Sequence, residues 1–118
     1  MACSAEGMTT GTHSLGERGI AVTTYVTLAN WTQQGAQNYG EAINRAEEFT
    51  KLVENSGGSV RELVWTLGEY DSLAIVDFPD DETAVAALLR MGAKGQIRTQ
   101  TMRAFDADEM SGIIRKAM

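Results

Sequence analysis

The chain has 118 residues, enough for one hydrophobic core but not two, and its 43% apolar and 22% charged residues describe a folded protein rather than a disordered one. A formal net charge of -6 repels phosphate backbones and anionic membranes, which sets nucleic acid and membrane surfaces aside as partners. One cysteine, Cys3, excludes an intrachain disulfide and a thiolate ligand set, so no metal or cofactor is expected, and a reducing cytoplasm is the expected location.

Residues 1–21 are rich in Gly, Ser and Thr, show neither a helical nor a strand period, and read as a flexible arm before a folded domain over residues 22–118. They lack a basic start followed by an apolar run, so a signal peptide is not expected, and no stretch is apolar for long enough to span a membrane. Val22 stands where the folded part begins and is a candidate alternative start. His13, the only histidine, falls in this arm, where a general base would lack fixed geometry.

From residue 23 to 31, Tyr25, Thr27, Ala29 and Trp31 alternate with Val26, Leu28 and Asn30, a strand period. The polar stretch at 32–35 reads as a break. Residues 37–55 then place Tyr39, Ile43, Ala46, Phe49 and Val53 at helical spacing, and Gly57-Gly58 stops that helix. Residues 59–67 form a second strand, with Leu63, Trp65 and Leu67 expected on one face and Val60, Val64 and Thr66 on the other. The turn Gly68-Glu69-Tyr70-Asp71 joins it as a hairpin to a third strand at 72–78, which Pro79 ends. Asp80, Asp81 and Glu82 supply cap and first-turn charge for a helix with Val85, Leu88, Leu89 and Met91, closing at residues 92–95. A last strand runs over 96–105, and Asp106 with Glu109 has the spacing of a capping box for a C-terminal helix.

This strand-helix-strand-strand-helix-strand order implies an α+β, ferredoxin-like βαββαβ antiparallel sheet with two helices on one face, plus the C-terminal helix. The strands are too apolar for one face to meet water. Opposite Val26, Leu28, Val64, Ala74, Val76 and Phe78, the alternation sets Tyr25, Trp31, Leu63, Trp65, Leu67, Leu73, Ile75 and Phe105. Whichever set meets the helices, the other needs cover, and a second copy packed sheet to sheet as a homodimeric α+β barrel supplies it; the C-terminal helix is the other source of cover.

Five residues stand out as ligand-binding candidates: Trp65, Tyr70, Asp71, Asp77 and Arg103. In the turn, the favoured reading is structural, with Gly68 at positive φ, Asp71 accepting from backbone in an Asx-type turn and Tyr70 on the rim. The functional reading uses the phenol and carboxylate to hold a small ligand or move a proton. Asp77 sits inside an apolar run, where burial should raise its pKa unless Arg98 or Arg103 pairs with it. Trp31 and Trp65 suit core or interface better than a pocket wall.

The run YVTLANWTQQG at residues 25–35, followed by the turn Gly68-Glu69-Tyr70-Asp71, resembles the GYD domain family of small bacterial proteins. The resemblance covers residues 23–105 and leaves the arm and last helix outside. It implies a dimeric ferredoxin-like α+β barrel and no particular reaction. Other families of this topology lack support: there is no aromatic third strand for RNA, no Cys-x-x-Cys loop, no long loop between strands two and three, and no fixed histidine nucleophile. Two functions follow as expectations. One is a non-catalytic module binding a small apolar or aromatic molecule or a protein partner. The alternative is a cofactor-independent oxygenase or isomerase using Asp77, Tyr70 and Arg103, motivated by fold analogy.

Overall fold

In a computed structural model describing residues 22–118, the first strand, Thr23–Trp31 (β1), buries Tyr25, Thr27 and Ala29 and leaves Thr24, Val26 and Leu28 half-buried. The expectations for the arm, with His13 and Cys3, lie outside the described residues. A short helix, Gln33–Gln37 (α1), and a 3-10 turn, Tyr39–Glu41, come before the long helix Ala42–Asn55 (α2). The expected break at 32–35 is therefore a helix start. Thr32 caps it by accepting from the Gly35 amide at 3.1 Å, while its own hydroxyl donates to the Gly95 carbonyl at 2.7 Å. Because the helix is interrupted there, Tyr39 and Ile43 do not continue the buried stripe: they are 71% and 58% exposed, and Phe49 and Val53 carry the burial.

The remaining elements are Ser59–Trp65 (β2), Ser72–Phe78 (β3), Asp81–Ala93 (α3), Ile97–Ala104 (β4) and Ala107–Ala117 (α4). Asp80 caps α3 through the Thr83 amide at 2.7 Å, and this hydrogen bond holds its carboxyl below the ordinary value. Asp106 and Glu109 close the expected capping box on α4. The strands pair antiparallel throughout in the order β2-β3-β1-β4, the ferredoxin-like arrangement. The second strand ends at Trp65, short of expectation, and Leu67 is wholly exposed. On α3 the buried positions are Ala84, Ala87 and Met91, while Val85 and Leu89 face out.

Register decides which residues share a face. Tyr25 pairs with Val76 and Thr27 with Ala74, so Ala74, Val76 and Phe78 join Tyr25 and Trp31 under α2 and α3. Leu73 and Ile75 pair with Leu28 and Val26 and fall on the open face with Val64 and Met102. The two apolar sets read from the sequence were thus mixed at β3. In β2 a bulge between Val60 and Glu62 shifts the pleat, so that Val60 and Leu63, three residues apart, both pack on the helix-side core. Phe78, Val53 and Val76 are fully buried at its centre, and the rings of Tyr25 and Phe78 meet edge to face at 5.8 Å.

The Tyr25 hydroxyl ties this core to the start of α3 by donating to the Asp81 carboxylate, while it accepts from Thr23 Oγ1 at 2.6 Å. Burial, and then the bond to Asp81, push the Tyr25 phenol above its ordinary 10.0. A raised folded-state pKa means stabilisation that is complete below the unfolded value and lost as pH rises through the folded one. Unfolding free energy measured across the alkaline range should therefore fall more steeply above pH 10.0 for wild type than for Tyr25→Phe. Equal slopes would show that the phenol does not couple to folding.

Candidate functional site

The Gly68-Glu69-Tyr70-Asp71 turn works as a clamp. Gly68 takes φ +136°, which a side chain disfavours, and the loop closes with the Thr66 amide donating to the Asp71 carbonyl at 2.9 Å. The Asp71 amide donates to the Ala29 carbonyl, and the Asp71 carboxylate accepts from the Trp31 amide, each at 2.9 Å. Asp71 thus accepts from backbone as expected, but across the sheet from β1 rather than within an Asx turn. This extends the β1–β3 ladder by side chain beyond its last paired residues, Ala29 and Ser72. The Tyr70 hydroxyl donates to Gln100 Oε1 at 3.1 Å, on β4.

Such a role predicts a specific pattern in denaturation. Tyr70→Phe with Asp71→Asn keeps an oxygen for the Trp31 amide and should unfold within about 1 kcal/mol of wild type. Asp71→Ala removes that acceptor and should cost about 1–2 kcal/mol. A double variant as unstable as Asp71→Ala would mean that the carboxylate charge, not merely its oxygen, holds the end of β1.

Asp77, buried at 8% exposure, opens onto the other end of the same sheet face. Its carboxylate accepts from Thr24 Oγ1 at 2.6 Å and from Arg61 Nε at 2.7 Å. The cation is therefore Arg61, not Arg98 or Arg103. The bulge in β2 explains why sequence spacing missed it: Arg61 is the inserted residue, re-aimed by the kink toward β3. Arg103 instead pairs in register with Tyr25 on the helix face and stacks its guanidinium over Phe105 at 4.7 Å and Tyr25 at 5.9 Å.

The five candidates do not converge. Asp77 lies opposite Thr24 and Tyr70 reaches Gln100, which lies opposite Leu28, so about 13 Å of strand separates them. Arg103 is on the other face. Trp65 lines a separate pocket of about 60 Å³ between α2, α3 and the sheet, with Trp31, Arg45, Ala46, Phe49 and Met91 among its walls. Both tryptophans thus line a cavity on the helix side, a role the sequence reading ranked second. Arg45 was missed altogether, because helical periodicity assigns a charged residue to the solvent side and carries no signal that it sits at a cavity. Among the described residues no cluster of His, Cys, Asp and Glu could hold a metal ion, and no helix is long and apolar enough to cross a membrane.

A four-stranded antiparallel sheet of this order, backed by two crossover helices and clamped by a Gly-x-Tyr-Asp turn, defines a ferredoxin-like α+β domain. The GYD domain model matches residues 25–114, and the chain belongs to that family. The match runs well into α4, so the C-terminal helix is largely inside the family's extent rather than outside it. The chain is similar to the "Glutamine synthetase and cystathionine beta-lyase binding protein" of Thermus thermophilus, with 27% identity over 89 residues, 74% of this chain and 93% of that one. Among solved structures it is similar to an AsnC family transcriptional regulator from Agrobacterium tumefaciens, at 25% identity and TM-score 0.44 over 72% of this chain, and spans 50% of that regulator. A dimeric protein of ferredoxin-like fold from Bacteroides fragilis aligns at 10% identity and TM-score 0.38, covering 70% of this chain and 96% of the other.

Proposed function

We propose that the chain is a non-catalytic interaction module that pairs with a second copy through the open face of its sheet and, as a pair, binds a larger protein. The observation that carries this reading is the open face itself. Among the described residues, nothing covers Val26, Leu28, Leu73 and Ile75 on the two central strands, flanked by Val64 and Met102. The C-terminal helix does not cover them, since α4 buries none of its own residues and leaves Met110, Ile113 and Ile114 exposed.

A second copy is the occupant that suits this face. Its middle is uncharged, with Glu62 toward the β2 edge and Arg98 toward the β4 edge, and Asp77 at one end is already paired with Arg61. A second copy offers the same apolar middle, so pairing covers both faces without stranding a charge between them. Four strands of about seven residues present about 450 Å² of flat face, against about 800 Å² per partner in a standard interface. The apolar stripe of α4 is available to make up the difference. The larger partner is of the enzyme class: the Thermus thermophilus relative is named for binding two enzymes, and this chain matches it over nearly its whole length. The enzymatic alternative finds no support in the separation of Asp77, Tyr70 and Arg103.

Sedimentation velocity at micromolar concentration should give twice the 12.8 kDa chain mass. Ile75→Asp should give a folded monomer, with pairing weakened by at least about a hundredfold, because a carboxylate would have to be desolvated at the centre of the face. Trp65→Asp changes a residue on the helix side of the sheet and should leave the pair intact. A folded wild-type monomer would overturn the reading.

A further inference from the structure

We infer that the helix-side pocket beside Arg45 is a binding site for short aliphatic carboxylates of about three or four carbons. The inference is independent of the pairing proposed above, and it starts from an unneutralised charge. Arg45 is half-buried on α2, and its guanidinium is held in place by neutral acceptors only. Nη1 donates to the Asn38 carbonyl and to Gln96 Oε1, each at 3.1 Å, and Nη2 approaches the Gly35 carbonyl at 3.5 Å. The group also lies over the Trp31 ring at 5.7 Å. The ion pairs among the described residues are Arg61 with Asp77 and Lys94 with Glu48, so no described carboxylate lies within ion-pair distance of Arg45. A guanidinium has five N–H donors, and these contacts leave some of them free for a planar anion.

Apart from Arg45 and the hydroxyls of Thr27, Ser72 and Thr99, the lining is apolar. Ala46, Phe49, Leu63 and Met91 form a wall that gains from a hydrocarbon body. Size then selects among apolar anions. A cavity of about 150 Å³ is what encloses a benzene ring, so about 60 Å³ encloses no aromatic ring but takes about two or three carbons of an aliphatic tail. The overall charge of -6 works against long-range attraction of any anion, so recognition rests on contacts inside the pocket.

Trp31 and Trp65 both line this pocket and are the chain's two tryptophans, so intrinsic fluorescence reads the site directly. Titrating the wild-type protein with acetate, butanoate, pentanoate and hexanoate should give saturable emission changes. Affinity should rise about fourfold per added methylene and then level off once the pocket is full. The matching primary amides should bind at least about tenfold more weakly. Arg45→Met should remove the preference for the acid while leaving amide binding unchanged. Ala46→Leu should fill the pocket and abolish both signals without lowering thermal stability, which keeps the test decisive if Arg45→Met does not fold. Absence of a saturable change up to ~10 mM, equal binding of acid and amide, or affinity independent of chain length would overturn the proposal. None of these outcomes depends on whether the protein sediments as a pair.

Discussion

Replacing Gly35 by alanine is expected to lower the free energy of unfolding by about 3 kcal/mol or to prevent folding. A β-carbon at this position would stand 2.0 Å from the carbonyl oxygen of Gln96 and 3.0 Å from its carbonyl carbon. Those are backbone atoms, and they are themselves fixed, because the same Gln96 carbonyl accepts from the Thr32 amide at 3.1 Å. The start of α1 and the loop before β4 would have to part, and the Thr32 bond to Gly95 with them. Gly68→Ala provides the contrast. Nothing lies within 4 Å of its would-be β-carbon, so only the backbone strain at φ +136° counts, and about 1 kcal/mol is expected. Gly68→Val should cost more, since branching at the β-carbon tightens the same restriction. Urea denaturation of the three variants separates the mechanisms, and a Gly35→Ala protein no less stable than Gly68→Ala would refute the close approach.

The second large effect is expected at Arg61. Arg61→Met leaves the Asp77 carboxylate buried with Thr24 as its remaining side-chain partner, and about 2–3 kcal/mol of stability should go, less than for a fully buried pair because the Arg61 side chain is 32% exposed. Adding Asp77→Leu to that variant removes the orphaned charge and should restore most of the loss. If the double variant stays as unstable as Arg61→Met, the arginine contributes through packing of its stem rather than through its charge. Guanidinium titrations would be confounded by ionic strength here, so urea is the denaturant of choice.

What could be read from the residues follows from what each signal encodes. Alternation in β1, the hairpin turn, Pro79 and the Asp80 and Asp106 caps are local, and all the strands and the three long helices came out within a few residues. The phase between strands is not local. Leu73 and Ile75 were grouped with Tyr25 because nothing in the sequence states that Tyr25 stands opposite Val76 rather than Ile75; hydrogen-bond register decides that, and a one-residue difference exchanges the faces. The same blindness hid Arg61 as the partner of Asp77, since a bulge is invisible to a strict two-residue period. For the pocket, Trp31 and Trp65 are legible as large aromatics. Arg45 becomes part of a site only once α2 is laid against β1 and the loop at Gln96.

The bulge at Arg61 also bears on how the β2 edge resists pairing with other chains. Among the described residues β2 and β4 are edge strands, each with a row of amides and carbonyls that another chain could extend into a fibril. In β2 the ladder is interrupted in its middle, and the interruption falls at Arg61 and Glu62, two adjacent charges. An incoming strand would meet a kinked, charged rim instead of a straight template. Deleting Arg61 would straighten that rim, leave Val60 and Leu63 on the core and strip the Asp77 carboxylate of its cation, so a single codon loss would both weaken the native state and open a route to cross-β aggregation.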